Sequence, residues 1–344
     1  GYDGSKALND TWVFDSQTST WSQKSPSTIP PARYGHILVS TGTNKAILFG
    51  GYNGADYYND TWQYDFSTDN WTKITTVSSP TALAYSCGAF DTFNNKIIIF
   101  GGQSEDGTIQ SSATWIYHIN GSSWTKAAYG PPSRKDSGAC YDPENKKFLI
   151  FGGEGDTPPA NNYLSDTWAY DYATNGWTNR IPSANPSPAR SEAEMFYDSR
   201  NNRSVIFGGR NASGNLNDIW FYKYTDPPNK WSTSAPATIP SARYGFAMNY
   251  ITTIQKAFLF GGRDNSGDKN DFYNYVFRSS GIYTTVQYDT PFSTELYYQS
   301  VEAPTQSGVP VNTTLKFQVA SSADNITYTQ FADQYDNPND YSIY

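Results

Sequence analysis

The stretch YYNDTWQYDFSTDNW, residues 57–71, carries two tryptophans nine positions apart, the first inside the phrase NDTW. The phrase already occurs at residues 9–12, again with a Trp nine residues on, in NDTWVFDSQTSTW (9–21). Its relatives follow at SATW (112–115), SDTW (165–168), NDIW (217–220) and the degenerate NDFY (270–273). A second column holds Trp21, Trp71, Trp124, Trp177 and Trp231, and the two columns together contain all 10 tryptophans of the chain. A third consists of apolar runs that end in Gly-Gly: AILFGG (46–51), IIIFGG (97–102), FLIFGG (148–153), SVIFGG (204–209) and AFLFGG (257–262). Their spacings are 51, 51, 56 and 53 residues. A period of this length marks a repeat architecture, in which each unit buries its apolar face only against its neighbours.

Each unit divides into four short strands, here named a to d. Strand a follows an arginine in RYGHILVS (33–40), RKDSGACYD (134–142), RSEAEMFYD (190–198) and RYGFAMNY (243–250), while LAYSCGAFD (83–91) has Leu83 in that place. A turn carrying Asn-Lys or a close variant leads into strand b, as expected where a hairpin needs positive φ. Strand b is apolar on both faces, as a strand between two layers must be. Strand c is the NDTW segment and strand d carries the second-column Trp. Four antiparallel strands repeated at about 50 residues describe a β-propeller, one unit per blade. The fold class is therefore all-β. On this reading the Gly-Gly pair admits a close neighbour and an unusual φ, and the tryptophans seal one blade on the next.

The composition agrees and narrows the function. The chain has 344 residues, 28 Tyr, 17% aromatic residues and only 16% charged residues, with a net charge of −8. An acidic, weakly charged chain does not present the basic face that nucleic acid or an anionic membrane demands, so neither is an expected partner. Two cysteines, Cys87 and Cys140, exclude a disulfide scaffold. No apolar run reaches the roughly 20 residues that a transmembrane helix needs. No secretory leader is legible, and with Gly rather than Met at position 1 this decides nothing about export.

The Gly-Gly pair after an apolar strand, followed by Asn-Asp-x-Trp-x-Tyr-Asp and a further Trp, resembles the kelch repeat. The resemblance covers residues 1–280 and implies a kelch-type propeller of six blades, or seven. Gly1 aligns with Gly51, so the first blade is expected to lack strands a and b. The last repeat has no Trp in strand d, so either Tyr283 takes its place or an N-terminal strand closes the ring. Residues 281–344, with LKFQVASSADNITYTQF (315–331), resemble a jelly-roll or lectin-like β-sandwich module and are expected to form a second, truncated domain.

The chain order puts the start of strand a at the same end of the propeller as the b–c and d–a loops. Arg33, Arg134, Arg190 and Arg243 are therefore expected to ring the channel mouth beside Tyr34 and Tyr244. The resemblance implies a peptide-binding face, where the forked donors of arginine suit acidic groups; the alternative is that the arginines are struts paired with acidic residues of neighbouring blades. Some kelch-type propellers are copper–radical oxidases, but His36 and His118 do not fall near Cys87 or Cys140 in the repeat, and both cysteines read as buried small hydrophobes. Glu192 and Glu194, at i and i+2 of one strand, share a face and read as channel wall or as a glycosidase pair. Asp264, Asp268 and Asp271 form a possible calcium loop without a recognised ligand spacing; otherwise no cofactor is expected. Of the sequons at Asn9, Asn59, Asn70, Asn120, Asn202, Asn211, Asn312 and Asn325, Asn120, Asn202, Asn211 and Asn325, with Asn70 behind them, are the glycan candidates. The function expected is extracellular or cell-surface binding to a protein or glycan, with homo-assembly open; the alternatives are a secreted carbohydrate-active or oxidase enzyme and a structural subunit of a surface layer or filament.

Overall fold

A computed structural model describes residues 1–105, 112–156, 162–181, 188–225, 230–234, 236, 239–277 and 283–285. The expected sandwich module, Asn312 and Asn325 lie outside the described residues. Five four-stranded antiparallel sheets follow one another, each ordered a-b-c-d. Blade I comprises Ile37–Ser40, Lys45–Phe49, Thr61–Asp65 and Asn70–Ile74. Blade II comprises Cys87–Asp91, Lys96–Phe100, Ala113–His118 and Ser123–Tyr129. Blade III comprises Gly138–Asp142, Lys147–Phe151, Thr167–Asp171 and Gly176–Asn179. Blade IV comprises Glu194–Asp198, Arg203–Phe207, Ile219–Tyr222 and Trp231–Ser234. Blade V comprises Ala247–Ile251, Lys256–Phe260, Phe272–Phe277 and Tyr283–Thr285. Thr11–Asp15 and Thr20–Lys24 make a two-stranded half-blade, the c and d strands alone.

The half-blade sits between blades V and I and gives the ring six positions. On one side Phe14 meets Phe272 and Phe258, and Trp21 meets Phe260, with ring centroids 4.3, 5.4 and 4.9 Å apart. On the other, Trp71 Nε1 donates to Thr11 Oγ1 at 2.9 Å, and Val13 packs against the blade I cluster of Ala46, Leu48, Trp62, Tyr64 and Trp71. Where strands a and b are absent, Leu38 and Trp12 are left half-exposed, at 54% and 50%.

The strand-d tryptophans do more than fill space. Trp124, Trp177 and Trp231 each donate Nε1 to the strand-c Thr of the preceding blade, Thr61, Thr114 and Thr167, at 2.9 Å, as Trp71 does to Thr11. Blade IV has Ile219 in the Thr position, and blade V, which follows it, has no such Trp. Its strand d instead sets Thr285, not Tyr283, across from Tyr275. Strand d, Tyr283–Thr285, lies beyond residue 280 in the same sheet.

The Gly-Gly pair is explained by a close approach. Gly50 and Gly51 have φ of +69° and +103°, a region that residues with a Cβ rarely enter. A Cβ on Gly50 would lie 2.4 Å from the carbonyl oxygen of Leu83, which opens the next blade, and Gly51 N–H donates to that same oxygen at 2.8 Å. Gly101 and Gly102 repeat this against Arg134. The a–b turns take their positive φ at Asn95, Lys146, Asn202 and Gln255. In blade III that residue is the lysine of the Asn-Lys pair, while Asn145 bonds to Asp142.

Candidate functional site at the channel mouth

The arginine column is buried, and its donors are used inside each blade. Arg33, Arg134, Arg190 and Arg243 are 1–2% exposed. Each guanidinium donates Nε to the carbonyl two residues earlier and Nη1 to the carbonyl of the first Gly of its own pair: Gly50, Gly152, Gly208 and Gly261. The fork then clasps the Asp that precedes strand c, with Nη2 at 3.0, 2.8, 2.8 and 2.8 Å from Asp60, Asp166, Asp218 and Asp271. Burial works against the first three carboxylates, but hydrogen bonds from the arginine and from the Trp two residues on outweigh it and hold them below the usual range. For Asp271 the Arg243 hydrogen bond is the largest influence, in the same direction. Blade II lacks both partners: Leu83 replaces the Arg and Ala113 the Asp.

This corrects the expectation that the four arginines reach a ligand. They are struts, and the carboxylates they hold belong to their own blades rather than to neighbouring ones. Enclosed guanidinium and carboxylate groups keep one another paired because a lone buried charge is costly.

Of the residues that follow this column, Tyr34 and Tyr244 line the cavity at the mouth. Tyr34, Ala84, Lys135, Ser191 and Tyr244 pair as β-bridges with Tyr52, Gln103, Glu154, Arg210 and Arg263, each the residue following a Gly-Gly. The d–a and b–c loops thus share one face, as expected. The next residues, Gly35, Tyr85, Asp136, Glu192 and Gly245, all have φ between +52° and +62°. Backbone bonds link four of them from blade to blade: Tyr85 N–H to Gly35 O, Asp136 N–H to Tyr85 O, and Glu192 N–H to Asp136 O, at 2.7, 2.9 and 2.9 Å. Left-handed Tyr, Asp and Glu are unusual, and here the backbone relay imposes that conformation. It turns these side chains into the channel.

The channel is a cavity of about 790 Å³ lined by Tyr2, Tyr34, Tyr85, Asp136, Glu192, Glu194 and Tyr244, among others. This falls within the common range for ligand sites. Tyrosines line one side: Tyr34 lies 4.9 Å from Tyr2, 5.6 Å from Tyr52 and 6.3 Å from Tyr85 between ring centroids. The opposite rim is charged. Arg210 lies 2.6 Å from Glu192 and Lys135 lies 3.8 Å from Glu154, while the Arg210 guanidinium sits over the Tyr244 ring at 4.6 Å. Burial, then the charge of Glu192, pushes Asp136 well above the usual carboxylate range. Burial raises Glu192 as well, against the pull of Arg210. Glu194, the first residue of its strand, lies deeper in the channel, and burial alone pushes it up to about 8. Glu192 and Glu194 therefore both line the cavity, but only Glu192 is ion-paired. Asp136 and Tyr85 stand two residues after the arginine column, a position held by Gly in blades I and V.

The remaining candidates do not converge. Cys87 and Cys140 are free and buried, and burial raises both thiols to about 12. Burial lowers His36 to about 3, and its Nδ1 has no hydrogen-bond partner among the described residues. His118 pairs with Thr125 Oγ1 at 2.7 Å. Asp264 pairs with Lys269, Asp268 with Arg263 and Asp271 with Arg243, so the three carboxylates considered for calcium face separate cations. Among the described residues no cluster of three His, Cys, Asp or Glu side chains is arranged to hold a metal ion. Asn120 and Asn202 are exposed in turns, Asn211 is half-buried with its amide oxygen on Ser213 N–H, and Asn70 is half-buried with its oxygen on Thr28 N–H.

Sheet order, the Gly-Gly approach and the Arg–Asp clasp together define a kelch-type propeller. The KLHDC2/KLHL20/DRC7 Kelch-repeats domain profile matches residues 87–279, more than half of the chain, and the Attractin/LZTR1 beta-propeller profile matches residues 1–157. The chain belongs to the kelch-repeat family. It is 26% identical over 280 residues to Adagio-like protein 1 of Oryza sativa subsp. japonica, covering 74% of this chain and 43% of that protein. It is 26% identical over 196 residues to the dynein alpha chain of the flagellar outer arm of Chlamydomonas reinhardtii, covering 52% of this chain and 4% of that protein. It is 30% identical over 126 residues to Dynein regulatory complex subunit 7 of the same alga, covering 35% of this chain and 10% of that protein. The chain spans less than half the length of each of these relatives. No helix among the described residues is long and apolar enough to cross a membrane.

Proposed function

We propose that this propeller is a protein-binding module whose channel mouth receives a segment of the partner. A kelch propeller is a scaffold suited to protein partners, and two of the relatives are named as a dynein chain and a subunit of a dynein regulatory complex. The observation that carries the reading is the tyrosine-walled cavity at the face where the d–a and b–c loops meet. Tyrosine offers rigid, amphipathic contact area at low entropic cost, and is enriched at binding hot spots for that reason. The chain's few charges and its abundance of Ser, Thr, Asn and Tyr support an extracellular or cell-surface setting as part of this proposal.

The test is selection of peptides from a random display library on the immobilised whole chain, followed by affinity measurement on variants. Tyr34→Ala and Tyr85→Ala should each weaken the selected peptides at least about 10-fold, the scale of a hot-spot truncation. Phe93→Ala, in an exposed a–b turn at the other end of blade II, should leave them unchanged. Peptides indifferent to both tyrosines would overturn the proposal.

A further inference from the structure

Among the described residues at the mouth, four cations are paired with carboxylates. Arg210 is paired with Glu192, Lys135 with Glu154, Arg263 with Asp268 and Lys269 with Asp264. The four column arginines are closed off by their own aspartates. Asp136 and Glu194 both line the cavity, and among the described residues neither carboxylate has a hydrogen bond or ion pair, although the charges of Lys135 and Arg210 act on Asp136 from their own pairs. Glu194 is half-buried in the channel wall, and its raised proton affinity has burial as its sole cause. An unpaired carboxyl group held partly out of water is costly, and among the described residues no cation pairs with it.

The walls around these carboxylates suit a cation too. Tyr34, Tyr85 and Tyr244 line the same cavity, and a tyrosine face attracts an ammonium or guanidinium group within about 6 Å. The rim already shows this twice within the chain, with Arg210 over Tyr244 at 4.6 Å and Lys135 over Tyr85 at 5.9 Å. Gly35 and Gly245 carry no side chain into the ring of residues that includes Asp136 and Glu192. Tyr85 packs its ring over Gly35, where a Cβ would lie 2.8 Å from Cε1, and Gly245 faces Glu192, 3.5 Å from where its Cβ would sit.

We infer that the partner segment is basic, and that an arginine or lysine side chain enters the channel between the tyrosines to pair with Asp136 and Glu194. This rests on the protein-binding reading above and reverses the acidic partner that the arginine column suggested. A desolvated charge pair of this kind forms only if the incoming cation matches, so it acts on specificity as much as on affinity.

The experiment uses one display-selected peptide in four forms, with arginine, lysine, citrulline or glutamate at the position that contributes most, titrated by fluorescence anisotropy against the whole chain. Arginine and lysine should bind, and citrulline, which keeps the shape of arginine without its charge, should bind at least about 10-fold more weakly, the smaller end of a buried charge-pair loss. Glu194→Gln and Asp136→Asn should each abolish most of that preference while their circular dichroism melts confirm folding. Peptides that bind through Tyr34 and Tyr85 but are acidic or uncharged would overturn this inference and leave the proposed function standing. Peptides that bind regardless of both tyrosines and both carboxylates would overturn the two together.

Discussion

The Arg–Asp clasp makes a quantitative prediction because the chain contains its own control. In blade III the Arg134 side chain is 1% exposed and that of Asp166 is 30% exposed. Asp166→Ala therefore strands a guanidinium charge that cannot reach water, and should cost about 3–5 kcal/mol, as breaking a buried pair does. Arg134→Leu strands a carboxylate that can partly rehydrate, and should cost less, about 2 kcal/mol, near that of a hydrogen bond to a charged group. The double variant reproduces the Leu83 and Ala113 of blade II, where Leu83 is 4% exposed and well packed. Replacing both partners by apolar groups removes both desolvation penalties, so the double variant should lose no more than the weaker single change. Urea denaturation of the four proteins, followed by tryptophan fluorescence, gives the cycle. A coupling energy of at least about 3 kcal/mol is expected, at the upper end for residues in direct contact. Additive losses would refute the strut, as would an Arg134→Leu protein weaker than Asp166→Ala.

Acid should unfold the propeller through the same carboxylates. Asp60, Asp166, Asp218 and Asp271 are held below their ordinary range in the folded state, so the unfolded chain takes up protons first as pH falls. Their stabilisation is complete above the ordinary range near 3.8 and lost as pH drops through the folded values, and the Arg134→Leu/Asp166→Ala protein should show a shallower loss of melting temperature below pH 4. At the blade interfaces, Thr61→Val removes the acceptor of the buried Trp124 Nε1 and should cost about 1–3 kcal/mol, the penalty of an unsatisfied buried donor; a melt indistinguishable from wild type would count against the interblade bond. Gly101→Ala would set a Cβ 2.3 Å from the Arg134 carbonyl oxygen at φ +70°, whereas Gly54, at φ +105°, has nothing within 4 Å. Gly101→Ala should abolish soluble expression, while Gly54→Ala should cost only about 1–2 kcal/mol of backbone strain.

What could be read from sequence was whatever the repeat writes five or six times. The Gly-Gly and Trp columns gave the blades, their strand order and their shared loop face, because each serves a contact made at every blade junction. The arginines were placed at the right end of the right strands, yet their partner was missed. Asp60 lies 27 residues from Arg33, and only the co-loss of Arg and Asp in blade II exposes the pairing. Asp136, Glu192 and Tyr85 carry no repeat signal, since the position they share is Gly in blades I and V. A functional mouth is where a repeat protein departs from its own consensus, so the consensus points to the frame and away from the site.

The direct test of the central claim, that the tyrosine-lined mouth and not another face receives the partner, is photocrosslinking from defined positions. Benzoylphenylalanine placed at position 85, in the mouth, and separately at position 93, in an exposed turn at the far end of the same blade, is irradiated with a display-selected peptide bound to the whole chain. A covalent adduct is expected from position 85 and none from position 93. An adduct from 93 alone would contradict the claim.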